Sequence, residues 1–269
     1  MQHSFFDVER PVVIGHRGSA GTHPENTLIS FEAALADGAR ILESDVHITR
    51  DGVPVLLHDP ELDRTTDGRG NASEHSWREI QDFDAGALFE DDRGERTFAG
   101  RGVRVPSLEE AFEAFPDARF NLEIKAAGRE SVVATLDLVE RFDRADRTLL
   151  AAGEDPIMKA LRAELATRSW RPAIGASLGE IVASVSSALE GTEMPPGVMA
   201  LQIPASFAGR PLATPEFVDH AHSRGVEVHV WTINDLHEIE ELLEVGVDGI
   251  VTDHPGRMAE WLAAAPPDE

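Results

Sequence analysis

Short runs of Val, Ile, Leu and Ala alternate along this chain with longer stretches whose apolar residues recur every three or four positions. The short runs predict strands at 12–14, 41–45, 120–124, 148–151, 173–176, 198–203, 226–231 and 249–251. The longer stretches predict helices at 27–37, 107–115, 132–142, 156–166, 178–189, 214–224, 236–245 and 255–264. In the first helix Leu28, Phe31 and Leu35 share a face and Gly38 supplies the stop. Ser107 followed by Glu110 has capping-box spacing, which marks where the helix at 107–115 begins. Eight strands alternating with helices predict an α/β fold, a closed (β/α)8 barrel, with a doubly wound open sheet as the alternative.

Two segments after the second strand break the alternation. Residues 46–58 read as a hairpin with a two-residue turn at Asp51-Gly52. That register sets Val46 opposite Leu57, Ile48 opposite Val55, and Asp45 opposite His58, with β-carbons about 5 Å apart. Glu43 falls on Asp45's face, because alternate strand residues point the same way. Residues 60–105, rich in Gly, Asp and Arg, form an insertion of the kind that decorates the active-site face of a barrel. The Pro266-Pro267-Asp268-Glu269 tail reads as frayed. Nothing else divides the chain, so residues 1–269 are taken as one domain.

Composition narrows the function. The chain has 269 residues, 42% of them hydrophobic, and no cysteine, which excludes disulfides, thiolate metal sites and cysteine nucleophiles. No apolar run approaches the roughly 20 residues needed to span a bilayer, and the first ten residues lack a signal-peptide pattern. We therefore expect a soluble, cytoplasmic protein. A net charge of −25 opposes stable anchoring on anionic membranes and binding of nucleic acid. Lys125 and Lys159 are the only lysines. High-salt adaptation and an Arg-rich codon bias are both readings of that charge pattern.

The chemistry-bearing residues gather at strand ends. His16-Arg17-Gly18, Pro24-Glu25-Asn26-Thr27, Glu43 with Asp45, and His58-Asp59 come first, and Glu123 with Lys125 closes the set. Three carboxylates without cysteine suit a hard, oxygen-preferring cation such as Mg2+ or Ca2+. The two histidines are then free to move protons around a phosphate ester. Lys125 either forms a structural ion pair with Glu123 or contacts an anionic substrate. The second is preferred, since a metal would already satisfy the acids. Asn26 reads as a cap of the first helix, and His229 as a hydrogen-bonded core residue.

These motifs, together with Asp51-Gly52, Pro106-Ser107-Leu108-Glu109, Val230-Trp231-Thr232-Ile233-Asn234 and the run from Gly246 to Asp253, resemble the glycerophosphodiester phosphodiesterase family. The resemblance runs from His16 to about Pro255 and implies a TIM-type barrel with the insertion at about 60–105. It implies that Glu43, Asp45 and Glu123 bind one divalent metal ion and that His16 and His58 are the acid–base pair. It further implies that Arg17 and Lys125 contact the phosphate and that Trp231 walls the substrate pocket. One departure is Ala151-Ala152-Gly153, where many relatives carry a Ser-Phe pair.

The implied activity is metal-dependent hydrolysis of small glycerophosphodiesters to sn-glycerol 3-phosphate and an alcohol. A lysophospholipase-D-like phosphodiesterase is the alternative, needing an apolar channel that Trp77, Phe83, Leu88, Phe89 and Phe98 of the insertion would supply. A non-catalytic binder of glycerophosphoryl compounds is the third reading. Oligomeric state, monomer or homodimer, is left open.

Overall fold

A computed structural model describes residues 3–264, so the Pro266–Glu269 tail lies outside the described residues. The chain opens with β1 (Val12–Gly15), α1 (Leu28–Ala36), β2 (Ile41–Ile48) and β3 (Pro54–Leu56). Next come α2 (Trp77–Ile80), α3 (Leu108–Ala114), β4 (Arg119–Ile124), α4 (Arg129–Arg141) and β5 (Thr148–Ala151). They are followed by α5 (Asp155–Ala166), β6 (Ala173–Ile174), α6 (Leu178–Glu190) and β7 (Ala200–Pro204). A small hairpin of β8 (Ser206–Phe207) and β9 (Arg210–Pro211) precedes α7 (Pro215–His222) and β10 (Glu227–Trp231). The chain then adds α8 (Leu236–Val245), β11 (Gly249–Thr252) and α9 (Pro255–Ala264).

Eight of these strands are parallel neighbours in the order β6-β5-β4-β2-β1-β11-β10-β7, with β3 antiparallel to β2. The Met199 N–H donates to the Ile174 carbonyl at 2.8 Å, which brings the two ends of that order together and makes the barrel. Inside, Phe5 and Phe6 plug the floor against residues that start their strands, among them Val12, Ile41 and Ala173. Outward residues such as Leu122, Ile124 and Val228 pack against the helices. The predicted capping box is present: Ser107 Oγ accepts the Glu110 N–H at 3.1 Å, and Glu110 accepts the Ser107 N–H at 2.9 Å. No described helix is long and apolar enough to cross a membrane.

The hairpin register differs from expectation by one residue. Val46 pairs with Leu56, His47 with Val55 and Ile48 with Pro54. The turn holds three residues, with Thr49 N–H donating to the Val53 carbonyl and Gly52 at φ +83. Only the last of these needs the left-handed region, and glycine adopts it without a Cβ penalty. Asp45 therefore faces Leu57, whose N–H donates to its carbonyl at 3.1 Å, and His58 lies beyond the strand.

The insertion has a core of its own. Leu62, Ala72, Ile80, Ala85, Val103 and Val105 pack under Val55 and Leu57, with Trp77, Phe83 and Phe98 against them. Those aromatics are thus committed to holding the insertion together.

Candidate active site

Parallel strands in a barrel all end on one face, and that is where the chemistry collects. His16 and Arg17 follow β1, Glu43 and Asp45 lie in β2, Glu123 lies in β4 with Lys125 just past it, and Trp231 ends β10. With His58 they line one cavity of about 510 Å³, so all eight predicted site residues meet. In the β2–β4 register Asp45 sits beside Glu123 and Glu43 beside Asn121. His58 arrives by a different route from the one predicted, from the loop after β3, while His47 Nε2 holds the His58 carbonyl at 3.0 Å.

Each histidine carries a carboxylate on its Nδ1. His16 Nδ1 stands 2.6 Å from Asp253 Oδ1, and Asn234 Nδ2 donates to the other Asp253 oxygen at 2.7 Å. Asn234 Oδ1 in turn accepts the Asp253 N–H and the Thr252 hydroxyl, so the carboxylate is fixed from both sides. Burial alone lowers the His16 pKa, but the Asp253 hydrogen bond and the Glu43 charge outweigh it and raise the value above the ordinary one. Burial raises the Asp253 carboxyl, while hydrogen bonds from His16 and Asn234 more than reverse this and leave it ionised. An ionised Asp253 makes His16 Nδ1 the donor and leaves Nε2 facing Glu43, 4.0 Å away.

His58 Nδ1 stands 2.8 Å from Asp59 Oδ1. Arg64, from the insertion, binds the other Asp59 oxygen and also donates to both Glu25 oxygens at 2.7 Å. Glu25 Oε1 accepts from Arg17 Nη1 at 2.8 Å. One guanidinium thus braces the residue that orients His58 and the residue that orients Arg17. Burial raises Glu25, but Arg64 and Arg17 together pull it below the usual carboxylate range.

Of the three acids, Glu43 is the one short of positive charge. Burial and the neighbouring Asp45 push Glu43 up to about 7. Its Oε2 accepts the Arg17 N–H at 3.0 Å. Lys125 Nζ spans Asp45 at 3.2 Å and Glu123 at 2.9 Å. Burial disfavours that ammonium, but the two carboxylates outweigh it and raise its pKa. Among the described residues, no three acids or histidines are gathered closely enough to cage a cation in this arrangement. The donor chemistry nonetheless fits one, because hard oxygens with a proton held at neutral pH are what a divalent cation relieves. Asn26 is not the helix cap that the sequence suggested; Thr27 is, accepting the Ser30 N–H. Asn26, at φ +56, instead points its amide at Asp45 Oδ2, 3.3 Å away, and accepts from Ser44.

The profile of the glycerophosphoryl diester phosphodiesterase family matches residues 16–257. The chain belongs to that family. A probable glycerophosphodiester phosphodiesterase 2 of Mycobacterium tuberculosis is 30% identical, covering 94% of this chain and 91% of its own. A glycerophosphodiester phosphodiesterase of Caldanaerobacter subterraneus is 31% identical, covering 91% and 95%. Among solved structures, an Oleispira antarctica phosphodiesterase in complex with the product sn-glycerol-3-phosphate superposes with a TM-score of 0.80. It is 27% identical and covers 98% of this chain and 100% of its own. Glycerophosphodiester phosphodiesterase activity and a small glycerophosphodiester substrate follow for this chain.

Sequence reasoning assigned no role to Asp253, Asn234, Asp59 or Arg64, which the structure places around the two histidines. Asp253 and Asn234 lay inside matched motifs, and the pairing of β11 with β1 is the signal that puts Asp253 beside His16. Arg64 offers no such signal, because loop contacts follow no period.

Proposed function

We propose that this phosphodiesterase hydrolyses glycerophosphodiesters to sn-glycerol 3-phosphate and an alcohol, with His16 and His58 as its acid–base pair. The observation that carries the reading is the pair of imidazoles in one cavity, each oriented through Nδ1 by its own carboxylate. A binding protein needs no such arrangement. The product complex of the Oleispira antarctica relative supports the choice of product.

His16, held by Asp253, takes a proton through Nε2 from the attacking hydroxyl, either water or the 2-hydroxyl of the substrate's glycerol. In the second case a cyclic glycerophosphate forms first, and water then attacks its phosphorus and breaks the bond to the 2-oxygen to give glycerol 3-phosphate. His58, held by Asp59, gives a proton to the departing alcohol oxygen as its bond to phosphorus breaks. Arg17 and Lys125 bind the phosphoryl oxygens, where negative charge grows in the transition state. Trp231 walls the pocket. Glu43, Asp45 and Glu123 would hold one Mg2+ or Ca2+ ion, which supplies further positive charge for the phosphoryl group. Lys125 would then be released from its two carboxylates to meet the substrate.

Release of glycerol 3-phosphate from glycerophosphocholine, with and without EDTA, tests this beside His16→Ala and His58→Ala. Loss of turnover of about a hundredfold or more in each variant is expected for acid–base residues, and loss in EDTA that returns with Mg2+ or Ca2+ is expected for the metal. Undiminished turnover in either variant rejects that histidine's role, and undiminished turnover in EDTA rejects the metal.

A further inference from the structure

At its deep end the cavity meets Ala151 and Val251, which belong to the apolar floor cluster with Phe5 and Phe6. Two amides interrupt that apolar surface. Asn121 lies in β4 and Gln202 in β7, and Gln202 Nε2 donates to Asn121 Oδ1 at 2.6 Å. On β4 the residues facing the helices are Phe120, Leu122 and Ile124, so Asn121 shares the inward face of Glu123. It stands one layer beneath Glu123, about 7 Å closer to the floor, and beside Glu43 of β2. Gln202 stands one layer above Ala200, itself part of the floor cluster.

Neither amide is used up by that bond. Each primary amide offers two N–H donors and a carbonyl acceptor, and the mutual contact uses one donor and one acceptor. Among the described residues nothing else bonds to either side chain. Asn121 Nδ2 and Gln202 Oε1 are not sealed inside the protein either, so they open into the cavity that both residues line. Turning both amides over preserves their mutual bond and leaves the same kinds of group, one donor and one acceptor, facing the cavity. Gly175 keeps the place open, since a Cβ there would stand 2.4 Å from Gln202 Oε1. Polar groups set in an apolar layer are costly unless a partner completes them.

The two histidines decide what reaches this layer. His58 comes from the loop beyond β3 and its side chain is 33% exposed, whereas that of His16 is 18% exposed. His58 protonates the departing alcohol, so the head group lies towards the mouth and the glycerol towards the floor. With phosphate at Arg17 and Lys125, the three-carbon chain then carries its terminal hydroxyl down to the amide pair. We propose that Asn121 and Gln202 hold the terminal hydroxyl of the substrate's glycerol, one amide donating to its oxygen and the other accepting its proton. The inference rests on the phosphodiesterase reading above and adds the residues that select the substrate. A hydroxyl both donates and accepts, which is what the pair presents. A methyl group in its place would leave both amides facing an apolar neighbour, and a site built to bond a hydroxyl rejects an analogue that lacks it.

The test compares kcat/KM on glycerophosphocholine with kcat/KM on the phosphocholine diester of propane-1,2-diol of matching configuration, which lacks only the terminal hydroxyl. Both compounds keep the 2-hydroxyl, so either attacking group remains available. The wild type is expected to prefer glycerophosphocholine by about tenfold or more, the cost of leaving a buried polar group unpaired. In Gln202→Met, similar in shape but without the amide, that ratio falls at least about fivefold. Gly175→Ala, whose methyl group displaces Gln202 Oε1, lowers the ratio in the same direction and serves where the first variant does not fold, which circular dichroism checks. An amide pair that only braced the barrel would lower both rate constants alike. A wild-type ratio near one, or a ratio unchanged in the folded variants, overturns the proposal while leaving the phosphodiesterase reading in place. Turnover of neither compound by the wild type overturns that reading itself, and this inference with it.

Discussion

Replacing Glu43 with glutamine is expected to stabilise the metal-free protein above neutral pH, although the residue sits at the centre of the site. Burial and the Asp45 charge raise its carboxyl from 4.5 to about 7. A raised folded-state value means the folded protein keeps a proton that the unfolded chain has released. The contribution to stability is therefore complete below about pH 4.5 and disappears as pH climbs to about 7. A pKa difference of about 2.5, at about 1.36 kcal/mol each, removes roughly 2–3 kcal/mol between about pH 5 and pH 8. Glu43→Gln keeps an oxygen for the Arg17 N–H and removes the charge, so it escapes that loss. Unfolding would be followed in EDTA across this range for both proteins. Relative to wild type, the variant gains roughly 2–3 kcal/mol from the acid to the alkaline end, or about 5–10 °C in Tm. Added Mg2+ or Ca2+ at about pH 8 should then raise the wild type more than the variant, by mass action. A difference between the two proteins that stays flat with pH would refute the charge strain assigned to Glu43.

Arg64→Gln should lower kcat/KM about tenfold or more through lost orientation of Asp59 and Glu25, while denaturant unfolding shows a change within about 1 kcal/mol, because the arginine is half exposed. Asp253→Asn should cut kcat about a hundredfold or more with little change in KM, as expected when an imidazole loses its orienting carboxylate. Since Asp253 raises the His16 pKa, the acid limb of the kcat/KM profile should also move to lower pH in that variant. Phe5→Ala opens the barrel floor and should cost about 3–5 kcal/mol in unfolding free energy, with the cavity chemistry intact in the fraction that stays folded.

All eight barrel strands were legible because each is a short apolar run bounded by turn residues, and their alternation with helices leaves few topologies. What periodicity does not carry was read less well. At Arg50-Asp51-Gly52 the Asp-Gly pair pointed to a two-residue turn, yet only Gly52 takes positive φ and the loop holds three residues, which slips the register by one. His58 still reached the site because it lies past the strand, where register no longer governs it. Asn favours the cap position of a helix, yet Thr27 is the cap here. The positive φ of Asn26 turns its side chain towards Asp45 instead, a choice made by tertiary contacts. The aromatics of the insertion were available to sequence reasoning as a lipid channel, but a segment of that length must first cover its own core. The exposure of Leu178 and Val182 on α6 was not legible, since both obey the helical period as any buried pair would.

The hydrogen bond between His16 and Asp253 joins residues 237 positions apart, across the seam where β1 meets β11. During synthesis His16 leaves the ribosome early and waits, with its acids and arginine already made, for nearly the whole chain to follow. Only when β11 docks does the imidazole gain the carboxylate that turns it. A nascent chain lacking that strand holds His16 without the carboxylate that orients it, so the site is assembled only when the ring closes.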